Sequence, residues 1–94
     1  KTLSNEVAKY GITVNNILPG FTDTERLQSL LKNRALSSKT TVKKIIDNTI
    51  SNIPANRFGK PEEIADAVSF LCSKSASYIN GINLPIDGGF SKSL

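Results

Sequence analysis

The stretch Leu18-Pro19-Gly20-Phe21-Thr22-Asp23-Thr24 holds the residue types and spacing best suited to chemistry. It reads as the end of a buried strand, a glycine-bearing turn and the capped start of a helix. Gly20 lets the backbone turn while passing close to a ligand. Free N–H groups and the positive end of a helix dipole at residues 22–25 suit an anionic or carbonyl-bearing group. Ligands of open α/β sheets bind outside the carboxyl ends of the strands. A small-molecule or cofactor site is therefore expected at Pro19, Gly20, Phe21, Thr22 and Thr24. Thr22 and Glu25 also have the spacing of a capping box, so Thr22 is an N-cap candidate and Thr24 a first-turn residue.

Other chemistry is sparse. The chain has one cysteine and no histidine, which leaves no disulfide framework and no metal-ligand spacing. Cys72, beside Val68 and Leu71 on a helix face, reads as a small buried hydrophobe in a reducing cytoplasm. Asn15 and Asn16 are cofactor contacts or, in the plainer reading, amides that hold a strand in place through backbone bonds. Asp87 similarly either orients a functional group or caps a turn. Net charge is +4, and no acid interrupts the run that holds Lys32, Arg34, Lys39, Lys43 and Lys44. That run is a solvated helical face or a surface that attracts an acidic partner or substrate phosphates. No nucleic-acid motif, membrane-spanning run or signal-peptide pattern is present, so neither nucleic acid nor membrane is an expected partner.

The elements that must position these residues follow from periodicity. Leu3, Val7 and Tyr10 keep helical spacing up to Gly11, a natural helix stop. Residues 12–18 are rich in β-branched and apolar side chains, as in a strand of a parallel sheet buried on both faces. A helix follows with Leu27, Leu30, Leu31 and Ala35 on one side, broken at Ser37 and Ser38. Val42, Ile45, Ile46, Ile50 and Ile53 mark a second amphipathic helix, stopped by Pro54. After a loop over 54–60, Pro61-Glu62-Glu63 opens a third, with Ile64, Val68, Leu71 and Cys72 as its buried stripe. Ile82–Ile86 forms a final strand. Its Pro85 belongs at a sheet border, and Asp87-Gly88-Gly89 ends it in turn chemistry.

Two strands alone make a poor sheet, and 94 residues support only a thin core. The chain contains no methionine, and Lys1 opens into helical periodicity without a capping residue. A chain cut inside a helix, the C-terminal fragment of a larger protein, is the expectation.

Three stretches, in order, cover nearly the whole sequence. They are Gly11-Ile12-Thr13-Val14-Asn15 leading to Pro19-Gly20, Arg57-Phe58-Gly59-Lys60-Pro61-Glu62-Glu63-Ile64-Ala65, and Tyr78-Ile79-Asn80-Gly81 with Asp87-Gly88-Gly89. This set resembles the C-terminal part of the short-chain dehydrogenase/reductase family, and within it 3-oxoacyl-acyl-carrier-protein reductases most. The resemblance implies an α/β fold: the C-terminal part of a Rossmann-like, doubly wound parallel sheet, here its last two strands plus helices. It makes residues 1–94 part of one dinucleotide-binding domain, with 22–53 a helical region over the substrate. It implies NADP or NAD as cofactor, with Pro19, Gly20 and Thr24 matching the family's Pro-Gly-x-x-x-Thr. The backbone at Thr22 would hold the nicotinamide carboxamide, and the Thr24 hydroxyl the carboxamide or a phosphate. The implied substrate is a small-molecule or acyl-carrier-linked carbonyl, the implied location cytoplasmic. A homo-oligomer, commonly a tetramer, is expected through the last helix and edge strand.

The family's catalytic Ser and Tyr-x-x-x-Lys have no counterpart in these residues, since Tyr10 is followed by Val14 and Tyr78 by Ile82 at that spacing. No Gly-x-Gly-x-x-Gly phosphate loop occurs either. No catalytic residue is therefore assigned, and the fragment alone is expected to be inactive. Pro85 and residues 37–52 depart from the family pattern. The alternative function is a non-catalytic basic helical module for binding or assembly.

Overall fold

A computed structural model describes residues 2–91; the expected helical opening at Lys1 lies outside them. Two strands, β1 (Asn16–Pro19) and β2 (Asn83–Ile86), pair in parallel, with Asn16 opposite Asn83 and Pro19 opposite Ile86. Parallel neighbours require a long crossover. Here it carries α2 (Glu25–Ser37), α3 (Val42–Ser51) and α4 (Pro61–Leu71), while α1 (Thr2–Val7) precedes β1. The last turn of the first helix tightens to a 3-10 turn, and Gly11 ends it at φ 77° with its N–H on the Ala8 carbonyl. This is the predicted glycine stop.

β1 is shorter than the sequence predicts. Residues 12–15 are held mainly by side-chain amides, with one backbone bond from the Gly81 N–H to the Val14 carbonyl at 2.9 Å. The Val14 N–H donates to Asn80 Oδ1 at 3.0 Å. Asn15 Nδ2 donates to the Ile79 carbonyl at 3.1 Å and its Oδ1 accepts from the Ile82 N–H at 3.1 Å. Asn15 thus has the structural use expected of it. The predicted burial of this strand on both faces is not met, for Leu18 is 46 % exposed. Among the described residues β1 has a single strand neighbour, and the face bearing Leu18 and Pro85 opens into a hollow of about 970 Å³.

Bonds from Asn16 N–H to the Ile82 carbonyl and from Gly20 N–H to the Ile86 carbonyl fix the phase of the pair. Successive residues alternate sides, so Pro85 turns its missing donor away from β1. The border position predicted for Pro85 follows from that geometry.

α2 packs on α3, burying Leu27, Leu31 and Ala35. Leu30, expected with them, is exposed because its side of α2 faces a cleft rather than α3. Ile53 lies two residues beyond α3 yet is buried. Its Cγ2 would sit 3.1 Å from a Cβ placed on Gly88, so it packs beneath the Asp87-Gly88-Gly89 turn. α4 starts as predicted, with Pro61 first and Glu62 and Glu63 in the first turn. Its stripe is not buried as predicted: Val68 and Cys72 are exposed, bordering an open hollow shared with Ile17 of β1.

The buried apolar side chains are few: Leu27, Leu31, Ala35, Ile53 and Ala76. The radius of gyration is 17.0 Å, with a long axis of 55 Å. A compact domain of this length would have a radius of about 12–13 Å. The helical hairpin holds most of the core, and the sheet extends from it.

Candidate functional site

Pro19 closes β1, and the chain then bends at Phe21 and reaches α2 through an extended Thr24. Two partners hold this segment. On one side Gly20 passes Asp87 so closely that a Cβ on it would lie 2.5 Å from the Asp87 Cβ and 2.8 Å from its Cα. Glycine is required here by the neighbouring backbone, a closer constraint than the ligand approach expected from sequence. Asp87 in turn caps its own turn, accepting the Gly89 N–H on Oδ1 and the Ser91 N–H on Oδ2, each at 2.9 Å. That is the plainer of its two predicted roles.

On the other side Thr22 forms a parallel bridge with Gly59. The Gly59 N–H donates to the Phe21 carbonyl at 2.9 Å, and the Asp23 N–H donates to the Gly59 carbonyl at 2.8 Å. The Phe21 ring meets Phe58 at 6.3 Å in a tilted pair and Phe90 edge-on at 5.3 Å. The loop that supplies Phe58 and Gly59 is fastened to α4 by Arg57, whose two terminal nitrogens meet the Glu63 carboxylate at 2.7 and 2.9 Å. Glu63 Oε1 also accepts the Lys60 N–H at 2.9 Å. Hydrogen bonding to Arg57, reinforced by that backbone bond, holds the Glu63 pKa down at about 2 and raises that of Arg57.

The capping prediction needs correction. Thr24, not Thr22, is the N-cap of α2: its hydroxyl accepts the Leu27 N–H at 3.2 Å. The Thr22 hydroxyl instead donates to the Gly20 carbonyl at 3.1 Å. The helix starts later because Thr22 is paired with Gly59 in the bridge.

That bridge has a chemical consequence. The Phe21 carbonyl and the Asp23 N–H both point at Gly59. The two peptide groups that contain them therefore aim the Thr22 N–H and the Thr22 carbonyl the opposite way. Neither group has a partner among the described residues. All five predicted residues, Pro19, Gly20, Phe21, Thr22 and Thr24, line one open cleft of about 570 Å³, whose far wall is α2. Thr22 thus brings an unpaired donor and acceptor to the border of a mostly apolar cleft, and such polar groups fix orientation in small-molecule sites. The larger hollow by Leu18 and Pro85 lies across the same turn and is bare sheet face. Asn16 does not join the cleft, as its Nδ2 donates to Asn83 Oδ1 at 2.8 Å.

Sequence reading missed three supports: the Gly59 bridge, the Gly20–Asp87 contact, and Asn80, whose Nδ2 also donates to the Ser4 carbonyl at 3.1 Å. Only Asn80 carried a local signal, an amide directly before a loop glycine. Among the described residues no group of His, Cys, Asp and Glu gathers to hold a metal, and no helix is long and apolar enough to cross a membrane.

A parallel strand pair joined by a helical crossover is the arrangement of an α/β protein of the doubly wound kind. Residues 1–91 match the family described as Enoyl-(Acyl carrier protein) reductase. The chain belongs to this short-chain dehydrogenase/reductase family. It is 40 % identical over 89 residues to the 3-oxoacyl-acyl-carrier-protein reductase FabG of Vibrio harveyi, covering 95 % of this chain and 32 % of that relative. A short chain dehydrogenase family protein of Francisella tularensis superposes with a TM-score of 0.93 at 33 % identity, over 99 % of this chain and 38 % of its own. YwfH, an NADPH dependent reductase involved in bacilysin biosynthesis, superposes with a TM-score of 0.90 at 38 % identity, over 99 % and 35 % of the two chains. The chain thus spans about a third of the length of the relatives it matches.

Proposed function

We propose that the protein carrying this chain is an NAD(P)-dependent oxidoreductase acting on a carbonyl or hydroxyl group, of the 3-oxoacyl-acyl-carrier-protein reductase type. The observation that carries this reading is the outward N–H and carbonyl of Thr22 in the cleft. A nicotinamide carboxamide offers one carbonyl and one amide N–H group, the complement of that pair. Pro19, Gly20 and Phe21 form the wall beside it, and Thr24 stands at the helix start with its hydroxyl toward the first turn. When bound, the dinucleotide supplies or accepts hydride; the work of these residues is to grip and orient its nicotinamide end. The proton-transferring Tyr and Lys of such enzymes have no match in these residues, so this chain contributes the wall and not the acid.

The α2–α3 region lies over the candidate cleft in this reading and serves as substrate cover. Its exposed lysines are suited to an acidic carrier protein. Reversing Lys43 and Lys44 to Glu should then raise KM for an acyl-carrier substrate and leave KM for a small ketone in place. Exposed Phe70 on α4 and the unpaired border of β2 support a homo-oligomer built through these elements. The cofactor in this reading is NADP or NAD, and the expected location is the cytoplasm.

The experiment is NAD(P)H oxidation by the full-length protein against a panel of ketones and 3-oxoacyl thioesters. Turnover supports the enzyme; absence of both turnover and cofactor binding favours the alternative, a basic binding or assembly module.

A further inference from the structure

Phe90 does not line the candidate cleft, yet its ring meets Phe21, which does. It is 44 % exposed at the hollow by Leu18 and Pro85, so burial alone does not account for its place. One residue fixes its backbone. Asp87 accepts the Phe90 N–H on its carbonyl at 3.1 Å and the flanking Gly89 and Ser91 amides on its carboxylate. Asp87 also abuts Gly20, whose N–H donates to the Ile86 carbonyl at 2.9 Å. These contacts close a ring: Gly20 to Asp87, Asp87 to Phe90, Phe90 edge-on to Phe21, and Phe21 covalently back to Gly20.

The Phe21 carbonyl shares its peptide group with the Thr22 N–H, so the conformation of Phe21 aims that donor. Two restraints act on it: the Gly59 bond on the carbonyl, and the seat of the ring between Phe58 and Phe90. Without the Phe90 ring, the hollow that Phe21 also lines gives its side chain room to swing.

We propose that Phe90 is a positioning residue for the cofactor: it wedges Phe21 so that Thr22 keeps the aim the nicotinamide carboxamide needs. The proposal rests on the reading of Thr22 as the nicotinamide wall and extends it to a residue outside the cleft. Edge-on aromatic pairs carry a directional attraction beyond area burial, so a ring serves here better than aliphatic bulk. A segment already held in its bound conformation loses less freedom on binding, which raises affinity for the group it grips. The effect is confined to the nicotinamide end, because Phe90 reaches the cofactor only through Phe21 and Thr22.

The test titrates full-length wild type, Phe90→Ala, Phe90→Leu and Phe90→Tyr with NADPH and NADH. Each is also titrated with the matching ligand that lacks nicotinamide: ADP-ribose, carrying the extra phosphate in the NADPH case. Phe90→Ala should weaken the reduced dinucleotide that wild type binds by about two- to tenfold, the worth of one aromatic pair. The nicotinamide-free ligand should bind as before. Phe90→Leu should fall between, and Phe90→Tyr, which restores the ring, should match wild type closely. Undiminished binding of the nicotinamide-free ligand shows that a variant is folded; where Phe90→Ala does not fold, Phe90→Leu against Phe90→Tyr decides. Equal losses on both ligands overturn the proposal by making Phe90 merely structural. So does no loss on either, or a Phe90→Tyr variant as weak as Phe90→Ala. A wild type that binds neither NADPH nor NADH overturns the functional reading beneath it instead.

Discussion

The α2–α3 hairpin and the β1–β2 sheet show opposite ways of using apolar residues. The hairpin buries Leu27, Leu31 and Ala35 within itself and closes on Ile53. The sheet region exposes Ile12 at 50 %, Leu18 at 46 % and Phe70 at 50 %. Exposed apolar surface on this scale marks contact with something else. The Leu18 face of β1 is such a surface, and Phe70 on α4 is the one proposed above as an oligomer contact. The hairpin is held by its own packing, whereas the sheet is held by hydrogen bonds: amides of Asn15 and Asn80, and the cap of Asp87. The candidate site lies on the seam, with its turn anchored to the sheet by Asp87 and its far wall supplied by α2.

This contrast can be broken at either side. The largest expected effect is Leu31→Ala. Leu31 is 1 % exposed, and truncation of such a leucine costs about 2–5 kcal/mol. Urea unfolding of the full-length protein should report that loss, while the folded fraction keeps its NADPH affinity. If affinity falls in parallel, hairpin and site are one unit and the distinction fails.

Gly20→Ala should cost about 1–3 kcal/mol, the range for overpacking, because the added methyl meets Asp87 backbone and must displace it. Here NADPH affinity should fall along with stability, since the Thr22 pair moves with the turn. A variant as stable as wild type would refute the close contact. Thr24→Ala removes the cap of α2 and should cost about 1 kcal/mol, measurable as a lowered urea midpoint; Thr24→Ser should recover most of it.

The smallest effect concerns pH. The Glu63 pKa is lowered from 4.5 to about 2 in the folded protein. Its contribution is therefore present above the unfolded value near 4.5 and is lost as pH falls toward 2. The pair is well exposed, so the gain is modest. Glu63→Gln should lower stability modestly at neutral pH, flatten the stability–pH curve within that window and bring the variant level with wild type near pH 2. An unaltered acid limb would remove the Arg57–Glu63 pair from the account of how the Phe58–Gly59 loop is held.

The sequence made much of this legible where the cause is local. Gly11 as a helix stop, Pro61-Glu62-Glu63 as a helix start, Pro85 at a border and Asp87 as a turn cap all depend on a few neighbouring residues. Errors arose where tertiary contact overrides a local pattern. Thr22 has the right spacing to Glu25 for a cap, but pairing with Gly59, far along the chain, keeps it extended and passes the cap to Thr24. Cys72 and Val68 lie on a proper helical stripe, yet no periodicity can state what lies beneath it. The five candidate residues lie within one short stretch, so the sequence shows them together. Their supports at Gly59 and Asp87 are not legible there, because only the fold brings them together.

The central claim is that the turn over residues 19–24 grips the nicotinamide end of a dinucleotide through Thr22. Amide hydrogen exchange on the full-length protein, with and without saturating NADPH, tests it most directly. The account predicts slowed exchange across residues 20–24 and in the Phe58–Gly59 loop, with α3 unaffected. Cofactor binding that leaves the Thr22 amide exchanging at its free rate would contradict it.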